Sequence, residues 1–392
     1  MAVPGAPYDD LLIEHLDAVR RLLPDDAAWI DAHTHTGFND PDGVTGSRDE
    51  LLEGLDRAGV GRAIVFTTAE PDGYPPANDR VLAEAAGAGG RLVPLARIDP
   101  NAGDPLPEAR RCLEAGARGF KLHPRSDAFV LSHPSVAALV AFAEERRVPV
   151  LVHAGRGIPA LGEDLVTLAR RHPGAGLILA HAGISDLGLV GPAANELPNL
   201  YFDTSWWQVS DLLALFETVD PSRILFASDM PYGSGRFAAL AFLRCALEVG
   251  LGLDAIAAIA GGNAERVLAG EPPADLGGPP GRGALSTRWL AGERILAHAA
   301  VAAYAAFRGG DPSEPLALAR LACQTPTGGT GAGHEEELLA TIDELLAHGQ
   351  EQLERHPGER FAVSIAPLAA QLLAGTPRAG ARAAELLAMR SV

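Results

Sequence analysis

The feature that most constrains this chain is a regular alternation of short apolar segments with amphipathic or alanine-rich segments. Several apolar segments, such as Val148–Val152, are apolar on both faces, which is typical of parallel strands covered on two sides. Strands that alternate with helices predict an α/β fold with a parallel sheet. The eight apolar segments are Trp29–His35, Arg62–Thr68, Leu92–Asp99, Gly119–Pro124, Val148–Gly155, Gly176–Gly183, Leu200–Trp206 and Ile224–Pro231.

Eight strand–helix units within about 250 residues predict a (β/α)8 barrel of the TIM type. The alternative is an open doubly wound sheet, but no GxGxxG motif follows the first apolar segment to favour it. The predicted helices between the strands span 49–58, 78–88, 106–115, 134–147, 162–171, 211–219 and 237–249.

The chain divides into four predicted parts. Residues 1–27 carry an N-terminal helix, and residues 28–269 form the barrel. Residues 270–285 are rich in glycine and proline, which is the composition of a linker. Residues 286–392 are predicted to be an α-helical C-terminal region. The sequence leaves open whether this region covers the barrel mouth, forms a homodimer or binds another partner.

Composition excludes some classes of partner. The formal net charge of -18 argues against nucleic acid and against an anionic membrane surface as partners. No stretch approaches the roughly 20 apolar residues that a membrane-spanning helix needs. The three cysteines are scattered, without a CxxC motif, so a reducing compartment is expected. These features predict a cytoplasmic protein that acts on a small molecule.

The first apolar segment ends in a pair of histidines. Side chains alternate along a strand, so His33 and His35 are expected to point the same way. Two parallel imidazoles at a strand end can bind one metal ion. They can equally be a solvated pair at a strand-to-loop junction, and this segment alone does not decide between the two.

Other apolar segments also end in polar residues. His153 lies near the end of the fifth segment, His181 near the end of the sixth and Asp229 near the end of the eighth. Barrel enzymes place their active sites at this end of the strands. One such histidine is more often a hydrogen-bonded core residue, but the combined set of imidazoles and one carboxylate is typical of a divalent transition metal with an open catalytic position.

The ordered motifs resemble those of the amidohydrolase superfamily. They are most similar to its amidohydrolase-related branch, which also holds the aminocarboxymuconate-semialdehyde decarboxylase-like enzymes. The resemblance extends from Ala28 to Leu268 and does not cover the C-terminal region. The motifs are Asp31-Ala32-His33-Thr34-His35, Gly119-Phe120-Lys121-Leu122-His123-Pro124, Val152-His153-Ala154-Gly155, Ala180-His181-Ala182-Gly183, Ala227-Ser228-Asp229-Met230-Pro231 and the closing Gly262–Leu268.

The resemblance implies a ligand set. His33, His35, His153 and Asp229 would hold a divalent transition metal, which is zinc in most members and manganese or iron in others. Asp229 would also accept the proton of the activated water. His181 would be either a ligand of a second metal or a base or electrophile beside a single metal, and the second role is favoured because this branch is mostly mononuclear.

Further residues have more than one implied role. In other branches a lysine at the position of Lys121 is carboxylated and bridges two metals, whereas a plain ammonium could hold a substrate carboxylate. His123 is expected on the same side as Lys121, where it would contact the substrate or support the metal ligands without touching the ion. Arg97 and Arg125 near the same mouth would suit an anionic substrate, although surface pairing with Asp99 or Asp127 explains them equally well. Trp206 could line an apolar pocket or pack beneath the C-terminal region.

Three functions follow from this site. The first is a metal-dependent hydrolase in which metal-activated water attacks an amide, ester, lactone or thioester carbonyl, with Asp229 and His181 as catalytic residues. The alternative is a metal-dependent, non-oxidative decarboxylase of a small carboxylic acid, either aliphatic or aromatic. The third is an inactive barrel that serves as an interaction scaffold, which the intact ligand set disfavours.

Overall fold

A computed structural model describes residues 10–23, 28–155, 161–184, 186–281, 289–324, 332–355 and 359–390. Several predicted segments therefore lie partly outside the described residues. These are the N-terminal part at 1–9 and 24–27, the end of the linker at 282–285 and the start of the C-terminal region at 286–288.

The described strands form one parallel barrel. Each strand pairs in parallel with the next, in the order β1-β2-β3 and β4 to β9. β3 and β4 are separated only by Leu95, whose backbone N–H donates to Val65 O, so together they are the third of eight barrel strands. The strands are β1 (Ile30–Thr36), β2 (Arg62–Thr67), β3 (Leu92–Pro94), β4 (Ala96–Arg97), β5 (Phe120–Leu122), β6 (Val150–Val152), β7 (Leu177–Leu179), β8 (Leu200–Asp203) and β9 (Ile224–Leu225).

The barrel closes between its first and last strands. Ala32 N–H donates to Phe226 O at 2.8 Å, and His35 N–H donates to Met230 O at 2.7 Å. The Asp31 carboxylate accepts the backbone N–H of His33 (3.1 Å) and of Ser228 (3.0 Å), and so joins the same two strands. The (β/α)8 barrel predicted from the sequence is confirmed.

The helices surround the barrel and continue into the C-terminal region. They are α1 (Ile13–Arg20), α2 (Arg48–Ala58), α3 (Pro75–Ala86), α4 (Leu106–Glu114), α5 (Pro134–Arg146), α6 (Gly162–Arg171), α7 (Leu187–Glu196), α8 (Val209–Thr218), α9 (Gly235–Glu248), α10 (Leu253–Ala257), α11 (Asn263–Ala269), α12 (Leu290–Phe307), α13 (Ser313–Cys323), α14 (Ala332–Arg355), α15 (Arg360–Gly375) and α16 (Ala379–Arg390).

Three of these helices, α7, α10 and α16, are not predicted as individual helices by the sequence patterns. α7 contains Gly188, Gly191 and Pro192, all of which disfavour a helix in an isolated chain. Its buried side, formed by Val190 and Ala194, packs on the hydrophobic core and outweighs these local preferences. α16 follows the turn at Thr376 and packs against α9 and α1.

The hydrophobic core has two parts. The inner cluster fills the barrel with side chains of Ile30, Ala32, Ile64, Phe66, Val93, Leu95, Leu151, Ile178, Ala180, Tyr201, Leu225, Ala227, Ala264, Val267 and Leu268. The outer cluster lies between the strands and the helices and extends without interruption into α12–α16. The polar residues at the carboxyl ends of the strands lie above the inner cluster, where its apolar side chains give way to the site.

The C-terminal region is joined to the barrel by buried polar contacts. Arg244 of α9 donates to the hydroxyl and the carbonyl oxygen of Thr376 at 2.8 and 2.7 Å. One turn further along α9, the Glu248 carboxylate accepts the backbone N–H and Nε–H of Arg378 at 2.8 and 2.7 Å. None of the described helices is both long and apolar enough to cross a membrane.

Candidate metal centre

The site is built from residues at the carboxyl ends of the strands. His33 and His35 lie on β1, and Asp229 follows β9, the strand that β1 closes against. Asp229 has a backbone φ of +63°. Its N–H donates to His33 O and its own C=O accepts the N–H of Gly233, so both neighbouring segments fix this turn. The turn directs the carboxylate toward the two histidines.

Three of the four predicted ligands converge. His33 Nε2 is 3.2 Å from His35 Nε2. Asp229 Oδ1 lies 3.3 Å from His33 Nε2 and 3.1 Å from His35 Nε2. Within the described part of the chain, these three residues present ligand atoms that all lie within 4.8 Å of one another.

The partners of the other ring nitrogens define the protonation of both histidines. His33 Nδ1 donates to Asp203 Oδ2 at 2.7 Å, and His35 Nδ1 faces the Thr67 carbonyl oxygen at 3.4 Å. Both of these oxygens can only accept, so each Nδ1 carries the hydrogen and each Nε2 has a lone pair. Two lone pairs and a carboxylate oxygen that face one another fit a bound cation.

Burial keeps these imidazoles neutral. It lowers the pKa of His33 and of His35 well below the usual range, and the positive charge of Lys121 adds to the effect in both cases. Neutral imidazole is the form that binds metals. Burial also raises the pKa of Asp229 to about 6, against the opposing effects of His181 and Lys121.

His153, the fourth predicted ligand, lies in a second group of rings beside the triad. His181 Nδ1 donates to Ser205 O at 2.8 Å, so its Nε2 accepts from His153 Nδ1 at 2.9 Å. His153 Nε2 is then an unprotonated nitrogen, and it is buried with no hydrogen-bond partner. His123 stacks on the His153 ring with 3.8 Å between centroids. A buried nitrogen without a partner is suited to a metal bond, and the donor set as a whole fits a divalent transition metal.

Lys121 is fully buried next to the triad. Its Nζ is 3.4 Å from His33 Nε2 and 4.7 Å from the centre of the Phe66 ring. Burial lowers the pKa of Lys121 to about 7, although Asp203 and Asp229 favour its charged form.

The two predicted substrate-binding arginines are both engaged in ion pairs. Arg97 is 1% exposed, and its guanidinium donates to Asp127 at 3.0 Å and lies over the ring of Tyr74. Arg125 is at the surface, with its guanidinium 3.9 Å from Asp42. Their roles in substrate binding stay predictions.

Trp206 lies between the site and the C-terminal region. Its ring meets the His181 ring edge-on at 6.0 Å, and its Nε1–H donates to Asp211 at 2.6 Å. The Trp207 ring is 4.0 Å from that of Trp206 and 6.0 Å from that of Phe307, the last residue of α12. Both readings of Trp206 from the sequence are therefore compatible with its position.

Sequence reasoning missed three residues of the site. Asp203 ends β8, Ser205 follows it, and both contact His33 and His181. Tyr232 places its ring edge on His35 at 5.0 Å and donates its hydroxyl hydrogen to Asp40 at 2.6 Å. The reasoning that found Asp229 could also have found Asp203, because Asp203 directly follows three apolar residues of the seventh segment, Leu200 to Phe202. Tyr232 carries no such signal, since it follows a turn.

Comparisons with known proteins agree with this arrangement. The model of the amidohydrolase family matches residues 30–269. The solved structure of 2,6-dihydroxybenzoate decarboxylase with 2,6-dihydroxybenzoate is 18% identical, with a TM-score of 0.51, over 62% of this chain and 98% of that chain. That of 5-carboxyvanillate decarboxylase from Sphingomonas paucimobilis is 15% identical, with a TM-score of 0.50, over 62% and 99%.

An amidohydrolase from Burkholderia multivorans with bound HEPES is 20% identical, with a TM-score of 0.50, over 62% of this chain and 99% of that chain. These likenesses show the barrel fold. The search of curated proteins found no match.

Proposed function

Because this chain belongs to the amidohydrolase family, whose model covers its whole barrel, we propose that it is a metal-dependent hydrolase of an amide, ester, lactone or thioester. One observation carries the proposal. His33 Nε2, His35 Nε2 and Asp229 Oδ1 lie 3.1 to 3.3 Å from one another, while the Nδ1 atoms of both histidines face acceptor oxygens.

The proposed cofactor is one divalent transition metal ion, with zinc preferred over manganese or iron. His33, His35 and Asp229 would hold it, and the buried, unpaired Nε2 of His153 supports this residue as the fourth ligand. Bound in such a site, the ion supplies a water molecule whose pKa is lowered toward neutrality.

The chain's own groups would handle the protons. Asp229 is the proposed proton acceptor because its carboxylate borders the ligand position and is 21% exposed, so substrate water can reach it. His181 is the proposed second base beside the ion. Ser205 O holds its Nδ1–H, so Nε2, which accepts from His153 Nδ1, is its basic atom. We assign substrate contacts to His123 and Trp206, whose rings border those of His153 and His181.

Decarboxylation of a small carboxylic acid is the second candidate, and Lys121 favours it. Its amine lies 3.4 Å from His33 Nε2 in a fully buried position, so a substrate carboxylate near the metal would meet a cation there. Ionic pairing in such a dry environment is strong. The same amine could hold the oxygen of an ester or amide, so hydrolysis stays the first candidate.

The test measures metal content and both reactions in one preparation. We expect about one transition metal per chain and metal-dependent hydrolysis of at least one of 4-nitrophenyl acetate, an acyl anilide, a lactone and a thioester. The combined change His33→Ala and His35→Ala should reduce metal affinity by more than about 100-fold, because direct ligands contribute more than their supporting residues.

His172→Ala is the matched control, since His172 pairs with Glu144 away from the triad. Absence of bound metal after supplementation would contradict the proposal. Carbon dioxide release from 2,6-dihydroxybenzoate without hydrolysis of any carbonyl substrate would favour the decarboxylase instead.

A further inference from the structure

Asp203 connects the two halves of the site through one carboxyl group. It ends β8, is fully buried, and uses each oxygen for a different histidine. Oδ2 accepts the Nδ1–H of His33 at 2.7 Å. Oδ1 accepts the backbone N–H of His181 at 2.9 Å and that of Ser205 at 3.0 Å.

The contact to His33 decides which of its ring nitrogens carries the hydrogen. A carboxylate oxygen can only accept, so it keeps the hydrogen on Nδ1 and leaves Nε2 unprotonated. Carboxylates that orient a ligating imidazole in this way raise metal affinity by about 10–100-fold.

The contact to His181 supports a strained turn. His181, Ala182 and Gly183 have φ values of +58°, +56° and +58°, in the left-handed region that residues with a Cβ rarely adopt. Asp203 Oδ1 accepts the N–H at the start of this turn. The same oxygen accepts the backbone N–H of Ser205, and the Ser205 carbonyl oxygen accepts the His181 Nδ1–H. The ring and the backbone of His181 are therefore both positioned by the Asp203 carboxylate.

We propose that Asp203 is a positioning residue that sets the tautomer of the ligand His33 and, with the same carboxylate, holds the turn that presents His181. The part that concerns metal affinity rests on the proposed function. The part that concerns the tautomer and the turn rests on the contacts alone.

An asparagine at this position cannot replace the carboxylate. Its side chain offers one acceptor oxygen and one NH2 group, but it faces four donors, of which the fourth is the Ser205 hydroxyl. The two backbone N–H groups cannot change, whereas an imidazole can move its hydrogen. Asp203→Asn should therefore point its oxygen at the backbone and its NH2 at His33 Nδ1. His33 would then carry its hydrogen on Nε2 and could not bind the ion.

The experiment reads the tautomer directly. Full-length, metal-free protein labelled with 15N in histidine is examined by long-range 1H–15N NMR, and His33 is assigned from the signals that a His33→Gln variant loses. We expect the Nδ1–H form in the wild-type protein and the Nε2–H form in Asp203→Asn. Zinc affinity, measured by competition with a chromogenic chelator, should fall about 10–100-fold in that variant.

Glu248→Gln is the matched control, because it makes the same change at a buried carboxylate that contacts Arg378 instead of the site. Its zinc affinity and the His33 signals should match those of the wild type. The Nε2–H form in wild-type protein would overturn the proposal, whether or not Asp203→Asn folds. An unchanged His33 tautomer in a folded Asp203→Asn protein would also overturn it. If the wild type binds no zinc, the proposed function is contradicted. The His33 tautomer, measured on metal-free protein, still tests the positioning role of Asp203.

Discussion

At the scale of the residue, Gly155 lets two imidazole rings approach the end of β6. A Cβ at this position would lie 2.9 Å from His181 Cδ2 and 3.0 Å from His153 Cε1. Real Cβ atoms do not come this close to other carbon atoms, so one of the rings would have to move. The absent side chain is therefore part of the geometry of the site.

Gly155→Ala should displace His153 or His181 and lower zinc affinity, with a loss of about 1–3 kcal/mol in the free energy of unfolding from overpacking. Gly188→Ala is the control, because a Cβ there meets nothing within 4 Å and the exposed helical position should gain slightly in stability. Chelator competition and urea unfolding measure the two effects. Unchanged zinc affinity in Gly155→Ala would argue against His153 as a ligand.

The histidine pair and Asp229 could be predicted because strand ends and side-chain alternation are visible in the sequence. Side-chain alternation describes β1 only approximately, since the register of β1 against β2 shifts between Asp31 and Thr34. Ala32 packs in the inner cluster although its neighbour His33 enters the site, which a strictly alternating strand does not allow. Contacts such as that of Asp203 with His33 join residues 170 positions apart, and no local pattern reports them.

At the scale of the element, α12 reaches the barrel mouth through a row of aromatic rings. Phe307, which is 44% exposed, stacks on Trp207, and Trp207 packs on Trp206 beside His181. Pairs of this kind contribute about 0.5–1.5 kcal/mol beyond the area they bury. The end of a C-terminal helix is thus coupled by direct contact to a ring of the site.

Phe307→Ala should shift tryptophan emission to longer wavelength and increase quenching by acrylamide, because Trp207 would gain contact with water. The free energy of unfolding should fall by about 1 kcal/mol. Tyr304→Ala removes another exposed aromatic ring from α12 and serves as the control. Equal emission from both variants would show that the Phe307–Trp207 contact does not protect the indole.

The strands were easier to predict than the helices. Each strand lies within an apolar segment of the sequence, except that β1 extends one residue further, to Thr36. The agreement arises because parallel strands are buried on both faces. α7 was missed because its glycines and proline signal a loop, and only tertiary packing of Val190 and Ala194 makes the segment helical. Packing partners distant in the chain decide such cases.

At the scale of the whole molecule, the barrel and the C-terminal region share one continuous core. The outer cluster includes barrel residues such as Phe242 and residues of α15 such as Leu372. Arg244 and Glu248 add hydrogen bonds to the segment between α15 and α16. This sharing predicts a single cooperative unfolding transition.

Thr376→Val should lower the free energy of unfolding by about 1–3 kcal/mol, because Arg244 Nε–H would be buried without its acceptor. The whole transition should therefore move to a lower urea concentration. Thr341→Val is the matched control, since the Thr341 hydroxyl bonds only to its own helix at the surface among the contacts described. Circular dichroism and tryptophan fluorescence should follow the same curve. Two separate transitions in Thr376→Val would show that the C-terminal region unfolds independently.

α9 has an uncommon environment for an outer helix of a barrel. Every residue of α9 except Arg236 is buried, because α1, α2, α8, α15 and α16 pack around it. An outer helix usually has exposed positions every three to four residues that accept many substitutions, and α9 should lack this pattern. A chain that lacked α15 and α16 would therefore expose apolar side chains of α9 to water.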